Sequence, residues 1–117
     1  MNGQTVTYNV TADGLRYYDI IVGTGTTAVA THQADVSFVG TLNDGTAFQG
    51  GTGEFTYTVL ATPEQVIPGF DEGVAGMKAG GVRRVEIPAS LAYGSTGHGV
   101  IPPNTTLTFE LTLNAAN

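Results

Sequence analysis

Alternation of apolar and polar residues, with a period of two, runs through most of this chain and predicts a protein built mainly of strands. The clearest case is residues 105–113, where Leu107, Phe109, Leu111 and Leu113 alternate with threonine and glutamate. A strand places successive side chains on opposite faces, so this segment is expected to bury one face and expose the other. Further strands are predicted at residues 6–10, 15–22, 35–42, 55–59 and 82–87.

Only one segment has the spacing of a helix. Within residues 69–78, Phe70, Val74 and Met77 fall at positions i, i+4 and i+7, which form one helical face. The pair Gly80-Gly81 is typical of a C-terminal stop. Strands with a single short helix and without a β-α-β rhythm predict an α+β fold, an antiparallel sheet of about five or six strands wrapped around one short helix.

The length of 117 residues fits one domain with a single hydrophobic core. We assign residues 15–117 to that domain and residues 1–14 to an N-terminal extension with the potential to add a strand. Residues 50–53, Gly-Gly-Thr-Gly, are predicted to form a flexible link between two strands. Because there is no run of ~18–20 apolar residues, no membrane span is predicted. The protein is expected to be a soluble monomer, either cytoplasmic or exported with its leader removed, and the sequence does not choose between these compartments.

Composition and residue spacing argue against several kinds of function. The formal net charge is −6 with four lysine and arginine residues, which is not the basic surface that nucleic acid requires. The chain has no cysteine, which excludes disulfides, thiolate catalysis and cysteine-bound zinc. His32 and His98 lie far apart in the sequence and outside clusters of acids, so neither a metal site nor a cofactor is predicted. Asp71 and Glu72 are adjacent and are expected to form the solvated, acidic start of the helix rather than a catalytic pair.

Two segments place apolar residues where a surface is expected. Residues 66–73 (Val-Ile-Pro-Gly-Phe-Asp-Glu-Gly) surround the start of the predicted helix, and residues 92–103 form a glycine-rich loop that carries Tyr93, His98 and a Val-Ile pair. Most aromatic residues of a small domain belong to its core. Apolar residues in an irregular loop need another reason, because loops run over the surface. The two segments are therefore expected to be the walls of a small apolar pocket.

The chain resembles the FKBP-type peptidyl-prolyl cis-trans isomerases at these residues. The resemblance extends over residues 15–113, and its specific parts are Val-Ser-Phe-Val-Gly-Thr-Leu-Asn-Asp-Gly-Thr-Ala-Phe at 36–48, Val-Ile-Pro-Gly-Phe-Asp-Glu-Gly-Val at 66–74, and 92–103 together with Phe109. It implies an FKBP-like isomerase domain that acts on Xaa-Pro bonds of protein segments through an apolar pocket and assists protein folding. It also implies proline-containing polypeptide clients as partners, macrolide-type molecules as pocket ligands, and no cofactor.

The resemblance further implies roles for individual residues. Phe70 is expected to be the floor beneath the proline ring, where many family members carry Trp. The Ile67 N–H and the Tyr93 hydroxyl are expected to hold substrate carbonyls. The residues implied in catalysis are Phe48, Ile67, Phe70, Tyr93 and Phe109. Those implied in substrate binding are Phe38, Gln49, Tyr57, Val66, His98, Val100 and Ile101.

The sequence departs from the family pattern at the rim of the expected pocket. Gln49 follows Phe48 where an acid is usual, and residues 50–53 replace a segment that commonly contains Ser and Arg. The loop around His98 is also one residue shorter. These departures leave two interpretations open: an isomerase with reduced activity, or a non-catalytic or weakly active module that binds proline-containing peptides.

Overall fold

The computed structural model describes residues 7–42 and 44–117, without the side chains of residues 49 and 50. In this part of the chain, six strands form one antiparallel sheet, accompanied by one short α-helix and one 3₁₀ helix. The predicted α+β fold, an antiparallel sheet with a single short helix, is confirmed. The strands are β1 (Asn9–Val10), β2 (Arg16–Ile21), β3 (Gln33–Leu42), β4 (Ala47–Thr58), β5 (Val82–Ile87) and β6 (Leu107–Ala116), the α-helix is α1 (Pro68–Val74), and the 3₁₀ helix is Ala89–Leu91.

Strand β6 lies near the centre of the sheet, whose order is β1-β2-β5-β6-β3-β4. Its apolar row, from Leu107 to Leu113, is buried, as the alternation predicted. Helix α1 packs against this face, over β5 and β6. The approach is close because Gly69 has no side chain, and a β-carbon there would overlap Ile87 of β5. This contact holds the start of the helix against the sheet and thereby positions Phe70.

Helix α1 ends earlier than predicted. The predicted helix covered residues 69–78, but the observed helix ends at Val74. The chain then turns at Gly76, whose φ of +89° favours glycine, and the Gly76 N–H donates to the Ala28 carbonyl at 2.9 Å. Met77 is buried, but it reaches the core from this turn rather than from a helical face.

Arg83 of β5 donates a hydrogen bond to a backbone carbonyl at the C-terminal end of helix α1. Its Nη1 donates to the Gly73 carbonyl at 3.1 Å, and its Nε donates to Asp19 Oδ1 of β2 at 2.8 Å. The guanidinium also lies over the Tyr17 ring, 4.6 Å from the ring centroid. The last carbonyls of a helix have no intrahelical donor, so this cation takes the place of the basic residue that the last turn of α1 lacks.

The prediction of a flexible link at residues 50–53 is wrong. Strand β4 includes this segment, in which Thr52 and Gly53 lie opposite Val39 and Phe38 of β3, and the register shifts between Val39 and Thr41. Glycine contributes the same backbone N–H and C=O groups to a sheet as other residues do. At Gly51 a β-carbon would lie 2.8 Å from the Gly40 carbonyl oxygen, so the missing side chain lets the two strands approach.

Strand β1 lies at one edge of the sheet and pairs with β2, with Asn9 opposite Tyr17. The predicted strand at 6–10 and the predicted extension at 1–14 fall partly on residues 1–6, which lie outside the described residues. Among residues 7–42 and 44–117, no helix has both the length and the apolar character that crossing a membrane requires.

Candidate active site

An open cavity of about 250 Å³ lies beside the start of helix α1. Its walls come from segments that are distant in the sequence: strands β3, β4 and β6, the loop at residues 59–67, and the loop that follows the 3₁₀ helix. The lining side chains are mostly aromatic or aliphatic. They belong to Phe38, Phe48, Phe55, Gln65, Val66, Ile67, Phe70, Tyr93, Ile101 and Phe109.

Phe70 is the centre of the aromatic cluster that forms the cavity floor. Its ring centroid lies 5.6 Å from those of Phe38, Phe55 and Phe109. Phe38 and Phe109 meet it nearly edge-on, at 88° and 82°, which brings the positive edge of one ring to the negative face of another. Phe48 extends the cluster, with its centroid 6.3 Å from that of Phe109. These contacts orient the rings, so the floor is formed before any ligand binds.

Tyr93 and His98 form one rim of the cavity. Their rings are stacked, with centroids 4.8 Å apart and planes inclined by 14°. The backbone of His98 exchanges two hydrogen bonds with Ile101, at 2.9 and 2.8 Å, and so closes a tight turn. Gly97 has a φ of +69°, a conformation that glycine adopts without strain. The turn holds His98 against Tyr93 and points Ile101 into the cavity.

The opposite rim is the N-terminal end of helix α1. The Ile67 carbonyl accepts hydrogen bonds from the N–H groups of Phe70 and Asp71, at 3.1 and 3.2 Å. The Ile67 N–H has no acceptor among the described residues. A helix leaves its first N–H groups without intrahelical partners, so this rim presents a backbone donor for a ligand carbonyl.

The structure brings together eight of the twelve residues that the sequence implied. The other four are His98, Val100, Gln49 and Tyr57. His98 touches Tyr93 from outside, and Val100 is 56% exposed on the outer side of its turn. The Gln49 side chain lies outside the described part of the structure. The eight residues that line the cavity are Phe38, Phe48, Val66, Ile67, Phe70, Tyr93, Ile101 and Phe109.

Tyr57, the fourth, lies behind the cavity rather than in its wall. It is 4% exposed, and its ring stacks on Phe55, with centroids 5.3 Å apart. Phe55, two residues before Tyr57 on the same face of β4, lies nearer the cavity and lines its wall instead. Phe55 is therefore a lining residue that the sequence did not imply, although the alternation in β4 marks it as an inward residue. Gln65 is another; its Oε1 accepts the Thr58 N–H at 2.9 Å, and no sequence pattern indicates this contact.

Asp71 is buried, so its predicted place on a solvated helix start is wrong. The residue is fully inaccessible to solvent. Its Oδ1 accepts the Leu60 backbone N–H at 2.7 Å, whereas its Oδ2 and the Tyr57 hydroxyl have no hydrogen-bond partner among residues 7–42 and 44–117. Burial raises the pKa of the Tyr57 hydroxyl, and the nearby Asp71 carboxylate raises it further.

The chemistry available in the cavity is that of apolar contact and hydrogen bonding. None of the lining side chains that the structure describes is charged. The described residues also contain no group of three or more His, Cys, Asp or Glu side chains arranged to hold a metal ion. The cavity therefore suits a ligand with an apolar ring flanked by carbonyl groups.

The comparison with family models decides the family of this chain. Residues 24–114 match the model of the FKBP-type peptidyl-prolyl cis-trans isomerases. The chain belongs to this family. The FK506-binding protein of Neisseria meningitidis serogroup B is 41% identical over 102 residues, a match that covers 86% of this chain and 94% of that protein. FK506-binding protein 4 of Dictyostelium discoideum is 42% identical over 101 residues, which are 86% of this chain and 28% of that protein.

Solved FKBP structures share the fold. AtFKBP13 has a TM-score of 0.85 and 29% identity over 96% of this chain and 100% of its own. FkpA from Escherichia coli has a TM-score of 0.83 and 31% identity over 94% of this chain and 51% of its own. This FKBP chain thus spans about a quarter of the length of some curated relatives that it matches, and nearly all of others.

Proposed function

We propose that this chain is a peptidyl-prolyl cis-trans isomerase, that the aromatic cavity is its active site, and that it acts on Xaa-Pro bonds of unfolded or partly folded polypeptides. The observation that carries the proposal is the uncharged aromatic cavity around Phe70. On one rim lies the Ile67 N–H, which has no acceptor among the described residues, and on the other lies Tyr93. Membership of the isomerase family supports the same activity.

An apolar cavity is enough to catalyse this reaction. Rotation about the Xaa-Pro bond has a barrier of ~18–20 kcal/mol because it breaks the amide resonance. The twisted amide has less charge separation than the planar one, so its free energy rises less than that of the planar amide on transfer from water to an apolar site. Catalysis then follows from tighter binding of the transition state, and no covalent intermediate is needed.

Each part of the cavity contributes to this binding. Phe70 lies under the proline ring, while Phe48 and Phe109 enclose it and exclude water. The Ile67 N–H and the Tyr93 hydroxyl donate hydrogen bonds to peptide carbonyls on either side, so the remaining bond is the one free to rotate. Macrolide-type ligands would occupy the same cavity and compete with the peptide.

Gln49 is expected to weaken the activity without abolishing it. It stands where an acid is usual in the family, and a neutral amide offers hydrogen bonds without a charge. A lost hydrogen bond to a charged group is worth ~1–3 kcal/mol, or about 5–150-fold in rate. The aromatic lining of the cavity accounts for the activity that remains.

A protease-coupled assay with a proline-containing peptide tests the proposal. We expect the wild type to accelerate isomerisation above the spontaneous rate. Phe48→Ala should lower kcat/KM by roughly tenfold or more, since an aromatic anchor of this kind is worth ~1.5 kcal/mol or more. Gln49→Asp should raise it. Val39→Ala, on the exposed opposite face of β3, is the control and should leave kcat/KM unchanged. Absence of acceleration by the wild type would refute the proposal, and peptide binding without acceleration would identify a binding module instead.

A further inference from the structure

Two polar atoms behind the cavity floor are buried and have no hydrogen-bond partner in the described part of the chain. They are the Tyr57 hydroxyl and Asp71 Oδ2, in residues that are 4% and 0% exposed. A buried polar atom without a hydrogen bond destabilises a protein, and a buried charge does so more strongly. Buried polar groups are therefore nearly always paired. The Asp71 carboxylate lies near enough to the Tyr57 hydroxyl to raise its pKa, so the two unpaired atoms require a common explanation.

Asp71 joins helix α1 to the loop at residues 59–67. It directly follows Phe70, and its Oδ1 holds the Leu60 N–H at 2.7 Å. Leu60 has a φ of +51°, a conformation that is uncommon for a residue other than glycine. The carboxylate therefore stabilises an unfavourable turn at the start of the loop. The same loop ends in Ile67, whose N–H faces the cavity rim.

Tyr57 lies near the same carboxylate and packs against the aromatic floor. Its ring stacks on Phe55 and meets Phe70 edge-on, with centroids 5.3 and 6.1 Å apart. Burial and the nearby Asp71 carboxylate raise the pKa of its hydroxyl, so the hydroxyl is protonated at neutral pH and can donate. Asp71 Oδ2 is an acceptor for which the described residues provide no donor within hydrogen-bond distance. The two orphaned atoms are chemically complementary.

We infer that the Tyr57 hydroxyl and the Asp71 carboxylate form a hydrogen-bonded pair of positioning residues, which fixes the 59–67 loop and the aromatic floor relative to each other. Neither residue touches the substrate. The pair acts through Ile67, which supplies the rim donor, and through Phe55 and Phe70, which form the floor. This inference rests on the proposed function, because its effect on catalysis requires the cavity to be the active site. Small displacements of such groups are costly, since catalysis depends on holding the substrate in one geometry.

Removal of the hydroxyl alone tests the effect on activity. Tyr57→Phe keeps the ring stack and should lower kcat/KM by about fivefold or more, the effect of leaving a buried charged acceptor without its donor. The loss should appear mainly in kcat, because the aromatic contacts that bind the proline ring remain. Tyr18→Phe removes a hydroxyl from the outer face of the sheet and is the matched control. An unchanged kcat/KM for Tyr57→Phe would overturn the inference.

A double-mutant cycle separates a pair from two independent residues. Asp71→Asn keeps an acceptor for the Leu60 N–H and removes the charge. In the double variant Tyr57→Phe/Asp71→Asn, the loss of kcat/KM should not exceed that of the worse single variant, since each change removes the same interaction. If kcat/KM of the double variant falls by the product of the two single-variant factors, the two residues act independently and the inference is overturned.

A measurement on the wild type is independent of activity. A hydroxyl proton in a buried hydrogen bond exchanges slowly with water, so NMR should show a hydroxyl resonance coupled to the Tyr57 ring. This resonance should be absent in Tyr57→Phe and shifted in Asp71→Asn. If the Tyr57 hydroxyl proton exchanges with water too rapidly to be observed, the proposed hydrogen bond is refuted. Because this test needs no turnover, it stands even where the isomerase assay refutes the proposed function.

Discussion

At position 40, the absence of a side chain decides where one wall of the cavity lies. Gly40 of β3 is the direct partner of Phe109 of β6, and a β-carbon on it would overlap the Phe109 ring. Gly40→Ala should therefore displace this ring. We expect a lower kcat/KM in the isomerase assay, and a loss of ~1–3 kcal/mol in the free energy of unfolding, as overpacking typically causes.

The neighbouring residue provides the control for this substitution. Val39 is 51% exposed on the other face of the same strand, so Val39→Ala should change neither the free energy of unfolding nor the activity appreciably. The position of the Phe109 ring in the Gly40→Ala variant can be followed by NMR contacts to Phe70 and Phe48. Retention of all of these contacts would contradict the prediction.

Between elements, an acidic contact links helix α1 to the turn that joins β1 and β2. Burial raises the pKa of Glu72, and its hydrogen bond to Asp13 raises it further. A carboxyl with a raised pKa holds its proton more tightly in the folded state. Protonated Glu72 therefore adds to the free energy of unfolding. This contribution is fully present below the usual pKa of 4.5 and is lost as the pH rises through the raised value.

Glu72→Gln should consequently stabilise the protein at neutral pH. The amide can donate to the Asp13 carboxylate and carries no charge, so the repulsion disappears while the hydrogen bond remains. Urea denaturation at pH 7 should show a higher midpoint for the variant than for the wild type. At pH 4, below the usual pKa of 4.5, Glu72 is mostly protonated in both states, so the difference should be smaller. A lower midpoint for Glu72→Gln at neutral pH would mean that ionised Glu72 makes a favourable contact.

How far the sequence predicts each element depends on whether neighbours in the chain determine it. The buried row of β6 was predictable because alternation with a period of two is a local property. The end of helix α1 was not, because Met77 continues the helical spacing although the chain already turns at Gly76. The strand across residues 50–53 was missed for a different reason. Its glycines suggested a flexible link, whereas the pairing of Thr52 and Gly53 with β3 keeps the segment within a strand.

The candidate site was predictable where motifs mark it and not where strand register decides it. The family motifs pointed to Phe48 and Phe70, which both line the cavity. Phe55 and Tyr57 lie on the same face of β4, so alternation cannot tell which one reaches the cavity. Their partners on β3 differ, Val36 for Phe55 and Ala34 for Tyr57. The burial of Asp71 was equally invisible, because its partner Leu60 belongs to an irregular loop.

On the scale of the whole molecule, the site depends on the last strand of the chain. Strand β6 lies between β5 and β3, and it carries Phe109 into contact with Phe38 and Phe70. The cavity cannot be complete until this C-terminal strand is inserted into the sheet. The aromatic floor is therefore a property of the folded domain as a unit, not of any motif within it.

The charge of the whole molecule should select among substrates that fit this cavity equally well. The chain has ten acidic residues against four lysine and arginine residues, a net charge of −6, whereas the described lining of the cavity is uncharged. The field of the surface should therefore attract cationic peptides before they reach the site, without changing how the proline ring is held. For peptides with the same Xaa-Pro core, flanking lysines should give a higher kcat/KM than flanking glutamates, by on the order of tenfold at low ionic strength.

Salt distinguishes this field effect from a specific contact. The Debye length falls from about 10 Å at 0.1 M to about 3 Å at 1 M ionic strength, so the preference for the lysine peptide should nearly vanish at high salt. A peptide with uncharged flanks should keep almost the same kcat/KM throughout. The preference should appear in KM rather than in kcat. The surface field affects how readily the peptide associates with the protein, whereas the Xaa-Pro bond rotates inside an uncharged cavity. Equal kcat/KM values for the lysine and glutamate peptides at low salt would show that the acidic surface does not extend its influence to the cavity mouth.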